Sequence, residues 1–593
     1  MYSRLVLFFL KYKQILFIIF DSYVLRSKDF NCAHQNHNLL KMENNFHPDA
    51  IIIGSGLAGL VAAMEITNAG KKVLLLDQET EQNIGGQAFW SFGGLFLINS
   101  PQQRRMGIKD SFELAKQDWM GTAGFDREED YWPRQWAEAY LKFASHDKYE
   151  YISKMGIKLM FMVGWAERGD GNASGHGNSV PRFHVSWGTG TGVVKPFVEK
   201  AYEAQKAGLL QMKFRHQVTE LITEDNSVTG VKGNILEADD KERGVATNRN
   251  ITGVFEYKAK NIVIASGGIG ANHELVRKNW PERLGVPPEN MVCGVPAYVD
   301  GKMIGIAENA GVNIINRDRM WHYTEGLQNW NPIWPNHGIR ILPGPSSLWF
   351  DAKGNRLPAP FLPGFDTLGT LKYIQDTGYG YSWFILTQKI IKKEFALSGS
   401  EQNPDITNKD YRLFLNRIFG KKAPAPVEAF KEHGKDFIVS DNLEELVEKM
   451  NELSGDHLLD YNNIRQIIEE RDRELDNRFS KDTQINYIRS TRKYLGDKLG
   501  RVAKPHKILA PENGPLIAVR LNILTRKTLG GIETNLDAQV LGSDGEVLKG
   551  LYAVGEAAGF GGGGMHGYRA LEGTFLGGCI FSGMKAGKYI GGL

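Results

Sequence analysis

Six residues, Gly54-Ser55-Gly56-Leu57-Ala58-Gly59, have the types and spacing to hold a pyrophosphate. A short apolar run, Ala50-Ile51-Ile52-Ile53, leads into them, and an apolar helical pattern leads out to Ala69, with Gly70 as its stop. In such a strand, turn and helix, Gly54 makes the tight turn, Gly56 lets the backbone approach phosphates at the helix N-terminus, and Gly59 lets helix and strand pack closely. Leu57 and Ala58 lie between these glycines and belong to the same candidate set. A second strand, Val73 to Leu76, ends in Asp77, which is placed to accept hydrogen bonds from a ribose, with Gln78 beside it.

Two more segments offer bare backbone for the rest of a longer dinucleotide. One is Gly85-Gly86-Gln87 with Gly93 and Gly94 soon after; the other is a buried-strand pattern, Leu551 to Val554, that ends in Gly555-Glu556 and is followed by Gly561 to Gly564. Glycine is in excess throughout: 67 in 593 residues, where a typical share would give about 42. Fourteen fall between Gly555 and Gly592 without a Gly-X-Y period, which excludes a collagen-like use.

The elements needed to position these groups fit a large globular chain. Hydrophobic residues make up 42% and charged residues 23%, a balance of neither a disordered nor a polytopic membrane protein. With 71 basic against 68 acidic residues and no long basic block, nucleic acid is not expected as a partner. Cys32, Cys293 and Cys579 are far apart and form no C-x-x-C pair, so neither a disulfide framework nor a zinc site is indicated, and a reducing compartment, the cytoplasm, is expected. Residues 1–48 read as an extension. Its apolar runs, Leu5 to Leu10 and Ile15 to Phe20, are split by Lys11 and Lys13, too short to span a bilayer. A start at Met42 is the favoured reading, with a weak membrane-surface anchor as the alternative.

The paired end motifs resemble those of the fumarate reductase and 3-ketosteroid Δ1-dehydrogenase superfamily of FAD flavoproteins, in particular its bacterial FAD-binding dehydrogenases, over Asp49 to Leu593. The resemblance implies an α/β fold. A Rossmann-like (GR2-type) FAD-binding domain, discontinuous in sequence as 49–293 and 515–593, would carry an inserted α+β substrate-capping domain at 294–514. It also implies that Gly555 and Glu556 hold the pyrophosphate and ribityl region and that Val218 meets the adenine side. Ala265 and Gly267, in Ala265-Ser266-Gly267-Gly268, look like the family's A-T-G-G strand end. Gln87 stands where some members attach the flavin to a histidine, so noncovalent FAD is expected. A last helix opening at Gly573-Thr574, with Leu576 in its first turn, would place amides and the positive dipole end by flavin N1 and O2.

Chemistry at a C–C bond needs hydride exchange at flavin N5 and a protein group for the proton on the adjacent carbon. In Δ1-dehydrogenases a tyrosine four residues before a backbone amide polarises the substrate carbonyl, a spacing matched by Tyr568 and the Glu572 amide. His322, in His322-Tyr323-Thr324, resembles a fumarate reductase carboxylate contact. Alignment places Pro343 where those enzymes carry a proton-donating arginine, with Arg340 three residues away. Arg182, with His184, recurs in the superfamily's pattern. Trp321, Tyr323, Trp330, Trp334 and Trp349 would suit an apolar, ring-bearing substrate. In the later half of the insert, Asp441 with Glu444 reads as a helix cap before a core stripe of Leu443, Leu446, Val447 and Met450.

The leading expectation is an FAD-dependent oxidoreductase acting on a CH–CH group of a small-molecule substrate, exchanging electrons with a separate acceptor or donor. The alternatives are a fumarate-reductase-like enzyme acting on a small unsaturated acid, and a flavin-binding protein without turnover.

Overall fold

The computed structural model describes residues 46–592 except 226 and 421; the extension and anchor readings of the first 45 residues lie outside it. Four apolar segments, Ala50–Ile53, Val73–Asp77, Asn261–Ile264 and Val547–Ala553, form neighbouring parallel strands with Leu210–Phe214 at one edge. Ala50–Ile53 is buried along its whole length, as a parallel strand covered on both faces must be, which is why it reads as an unbroken apolar run. Ser227–Leu236 joins the far side of this nine-stranded sheet through Lys549, and His216–Glu224 and Ile251–Lys258 pair antiparallel with it.

Helices Leu57–Asn68 and Thr574–Gly591 pack on each other over this sheet, bringing the two ends of the described chain together. Small residues set their separation. A Cβ on Gly583 would stand 2.5 Å from the Ala58 carbonyl oxygen, so the backbones touch where glycine allows it.

A second, eight-stranded sheet is built around Leu516–Thr528, which runs for 13 residues. Tyr381–Thr387 and Met320–Gln328 flank it antiparallel, and Phe437–Ser440 and Val292–Cys293 pair with other parts of it. The expected boundary at 514/515 falls just before this strand. Leu516–Thr528 is the central strand of the second sheet, and the chain rejoins the first sheet only at Gln539–Leu541. The reason is pairing capacity, because a 13-residue buried strand finds partners for its backbone only in the second sheet. The helix in the later insert is Leu443–Ser454, with Leu443, Leu446, Val447 and Met450 buried as the periodicity implies. Its cap is Asn442, whose side chain accepts from Glu444 and Glu445 N–H, rather than Asp441.

Among the described residues no helix is long and apolar enough to cross a membrane.

A Cβ on Gly59 would run into the Gly54 carbonyl oxygen, which is fixed backbone. Gly59→Ala is therefore expected to cost about 1–3 kcal/mol through overpacking. Gly305→Ala, in a helix interior with nothing within 4 Å of the new atom, is expected to be neutral or to stabilise by about 0.5–1 kcal/mol. Thermal denaturation of the two variants checks the pair: a fall of a few degrees for Gly59→Ala and none for Gly305→Ala.

Candidate active site

The carboxyl ends of the parallel strands open onto a groove. Gly54, Gly56, Leu57 and Ala58 reach it from the first turn, Asp77 and Gln78 from the second strand, and Gly85, Gly86 and Gln87 from the loop after it. Val218, Ala265, Gly267, Gly555 and Glu556 complete the set of sequence-derived residues found there. Such a crevice outside the strand ends is where open α/β sheets take ligands. A Cβ on Gly56 would meet no protein atom nearer than 3.9 Å, so the missing side chain leaves bare backbone facing free space. The first-turn amides of Leu57–Asn68 have no partners within the helix and sit at its positive end. The Asp77 carboxylate is oriented by Ser55 N–H (2.8 Å), Ser55 Oγ (2.6 Å) and Glu79 N–H (2.8 Å). Bare backbone, a positive helix end and an oriented carboxylate fit a dinucleotide.

Glu556 lies beneath the groove and accepts from Gln87 Nε2 at 2.5 Å and Thr528 N–H at 2.9 Å. Lys527 Nζ lies 3.4 Å from Glu556 and donates to Gln87 Oε1. Burial pulls this lysine's pKa down, against the Glu556 carboxylate that supports its charge. Lys527, half of the basic pair Arg526-Lys527 that precedes Thr528 and that favoured the fumarate-reductase-like alternative, was not among the expected cofactor residues.

A second, larger cavity of about 950 Å³ adjoins this region in sequence. Phe92, five residues after Gln87, and Glu572, seven before the groove-lining Cys579, both line it. Phe92 stacks on Phe183 (6.4 Å, 12°), and Met162, Val163, Trp165 and Phe395 extend the apolar wall. Where this wall meets Glu572, Arg340 stands with its guanidinium 3.7 Å from the Tyr323 ring centroid. Arg340 donates to Glu572 at 2.7 Å and lies 3.5 Å from Glu325 and 3.8 Å from Glu167. Burial works against its charge, but Glu325 and Glu572 outweigh burial and keep it protonated.

One guanidinium cannot compensate three carboxylates in a dry site. Burial lifts the Glu325 carboxyl from 4.5 to about 7; Arg340 pulls it back, and Glu167 and Glu572 add to the rise. Glu167 is held by Thr367 Oγ1 (2.5 Å) and His176 Nε2 (3.1 Å), whereas one Glu325 oxygen has no hydrogen-bond partner. Trp321 Nε1 lies 3.3 Å from Glu572. Glu167 and Glu325 were not singled out from sequence. Glu325 had a readable signal: it alternates with Trp321 and Tyr323 in one strand, so period two puts all three on one face.

Several expected residues lie elsewhere. Gly59 packs behind the groove, and Gly93 and Gly94 back onto Thr189 and Phe183. Gly573 caps the last helix, its carbonyl accepting from Phe96 N–H at 2.8 Å. Thr574 Oγ1 binds His566 and Leu571, and Leu576 is buried in the core. None of these six lines either space.

Three expected catalytic residues lie outside both spaces. The Tyr568 hydroxyl donates to Asp126 (3.0 Å), and its ring lies among Arg319, Arg283 and Arg127, so the phenol is held outside both spaces by cation–π contacts. Arg182 is fully buried and occupied by Asp110 (2.8 Å) and Asp118 (2.5 Å), a structural ion-pair network. His322 stacks on Trp280 (5.6 Å, 6°), accepts from Arg526 N–H and is kept neutral by burial, which lowers its pKa to about 3. Of the expected catalytic side chains, Arg340 and Glu572 meet in the cavity.

Comparison with known proteins gives a consistent picture. A family profile described as FAD binding domain matches residues 49–576. A KsdD-like steroid dehydrogenase of Mycobacterium tuberculosis is 59% identical over 540 residues, covering 91% of this chain and 95% of that protein. One of Mycolicibacterium smegmatis is 58% identical over 528 residues, covering 89% and 96%. The solved 3-ketosteroid Δ1-dehydrogenase of Sterolibacterium denitrificans, in complex with 1,4-androstadiene-3,17-dione, shares the fold with a TM-score of 0.65 at 17% identity, over 92% of this chain and 99% of that one. Groove, matched profile and near-full-length relatives agree: the chain belongs to the FAD-binding family that this profile defines.

Proposed function

We propose that this chain is an FAD-dependent oxidoreductase that acts on a CH–CH group of a polycyclic ketone of the ketosteroid kind. The observation that carries this reading is the cavity in which an aromatic wall ends at Arg340, Glu167 and Glu572, with Glu325 buried against Arg340 outside the lining, close in sequence to the groove-lining residues on both sides. The relatives' names and the shared fold support the substrate class. On this reading the first sheet is a Rossmann-like, GR2-type nucleotide domain built from 49–293 and the chain from Gln539 on. The intervening chain, Leu516–Thr528 included, is the substrate cap.

FAD, when bound, supplies the hydride acceptor for oxidation of a C–C bond. The residues that would hold it are those of the groove, with Gly54 to Ala58 at the phosphates and Asp77 at the ribose. Gln87, engaged by Glu556 and Lys527, has no nucleophilic atom to offer, in keeping with noncovalent binding. Arg340 would donate to a substrate carbonyl oxygen and steady the negative charge that grows there as the neighbouring C–H loses its proton. The three-carboxylate cluster is the sink for that proton, because Glu325 has room for one near neutral pH. The apolar wall would keep the ring system against these groups and exclude water.

Anaerobic mixing of the yellow protein with a 3-ketosteroid is expected to bleach the flavin absorbance. Arg340→Gln should slow that bleaching by about 10²–10³-fold at unchanged flavin content; an Arg340→Gln protein with full turnover would remove Arg340 from the mechanism.

Glu325 makes pH a second probe. Its folded pKa, about 7, lies above the ordinary 4.5, so the folded state retains a proton that the unfolded chain has lost. The stability it contributes is complete below about 4.5 and disappears as pH rises through about 7. The wild-type Tm should fall between pH 5 and 8, and Glu325→Gln should flatten that fall. As a base, Glu325 should also give turnover a rising limb centred near pH 7, absent from Glu325→Gln.

A further inference from the structure

The outer part of the second cavity has a charge that the oxidation of a neutral ketone does not call for. Eleven lysine and arginine side chains line the cavity against four carboxylates, in a chain whose whole net charge is only +3. The positive charge is therefore concentrated here. Four of these cations are neutralised: Arg340 as described, Arg168 by Asp497 (2.6 Å), Arg417 by Asp405 (2.7 Å) and Lys507 by Asp476 (2.6 Å). Among the described residues, Lys389, Lys392, Lys393, Arg492, Lys498 and Lys504 have no carboxylate within 4.0 Å. Where they are bonded it is to neutral oxygens, Lys389 to Asn513 Oδ1 at 2.5 Å, Lys393 to the Leu499 carbonyl and Arg492 to the Val502 carbonyl. Arg501 likewise donates to the Leu342 carbonyl at 2.7 Å.

These charges crowd one another. Burial and then the neighbouring Arg492 and Lys392 lower the Lys393 pKa. Lys498 and Arg501 are carried into the lining by a turn of π-helix, Asp497–Arg501, a costly local geometry frequent at functional sites. Like charges held together without counter-ions are stabilised by an anion that enters among them. A single carboxylate would leave most of them uncompensated, so the pattern calls for several phosphate charges on one ligand. The other half of the same cavity is the aromatic wall that ends at Arg340. A volume of about 950 Å³ stands at the upper end of the usual range for one small-molecule site, enough for a ring system with a tail.

Resting on the proposed function, we infer that the substrate is a polycyclic keto acid carried as the thioester of a phosphorylated nucleotide of the coenzyme A kind. Its rings lie on the aromatic wall and its phosphates lie among the outer cations. The thioester group takes no part in the redox step, which remains loss of a hydride and a proton from adjacent carbons of the ring. The same phosphate chemistry could come from a nicotinamide dinucleotide acting as electron donor, and the experiment separates the two.

Purified holoenzyme is mixed anaerobically with a neutral 3-ketosteroid, a 3-oxo-steroid carboxylic acid, the coenzyme A thioester of that acid, and NADH. The thioester is expected to bleach the flavin with a KM at least tenfold below that of the neutral ketosteroid, an advantage that shrinks as salt rises. Free coenzyme A should bind the holoenzyme in a direct calorimetric titration. Lys392→Ala/Lys498→Ala should weaken that binding about tenfold and raise the thioester KM relative to the ketosteroid KM. Equal KM values for thioester and ketosteroid, no coenzyme A binding, or bleaching by NADH that the double variant abolishes would each overturn the inference while leaving the ketosteroid activity standing. Failure of both thioester and ketosteroid to bleach the flavin would instead overturn the proposed function and this inference with it.

Discussion

The Glu556 carboxylate ties the molecule together. It is 3% exposed, and its partners come from stretches of chain that have little else in common: Gln87 from the loop after the second strand, and Lys527 and Thr528 from the end of the second sheet's central strand. An unpaired carboxylate at this depth would be costly, so the three segments must arrive together for any of them to be stable there. The groove above inherits its geometry from this junction. Gln87 is fixed by it, and Phe92, in the lining of the second cavity, follows five residues on.

Much of the nucleotide side was legible in the sequence because its constraints are local. Gly54 to Gly59 and Asp77 sit within one strand, turn, helix and strand; Gly59 answers to the Gly54 carbonyl five residues away and Gly56 to free space, and only Gly54 answers to a distant segment, the Ala265 backbone. The substrate side was much less legible. Tyr568 has the spacing of a catalytic tyrosine, but three guanidiniums from distant segments decide where its ring goes. Arg182 and His322 have residue types that suit catalysis, yet one is neutralised by Asp110 and Asp118 and the other is stacked on Trp280. Nothing in their immediate sequence encodes those partners. Glu325 is the opposite case, a charged residue in an apolar strand, spaced by two from Tyr323 and by four from Trp321, all three facing Arg340 or Glu572 despite the strand's register shifts.

Two electrostatic regimes share one cavity. At the inner end, three carboxylates compete for Arg340 in a dry environment, and the outcome is a displaced proton equilibrium at Glu325. At the outer end, cations accumulate without acids and lean on backbone carbonyls. Low dielectric strengthens the first and solvent screens the second, so the inner cluster suits proton handling and the outer one suits recognition.

The strand Leu516–Thr528 has a mechanical consequence. Its first half is paired with Tyr381–Thr387 and its second half with Met320–Gln328, and its end, with Lys527 just before it, is fastened to the carboxylate beneath the groove. A strand held at both places behaves as a rod rather than a hinge. Whatever tilts the second sheet therefore also moves an ammonium group at the floor of the groove.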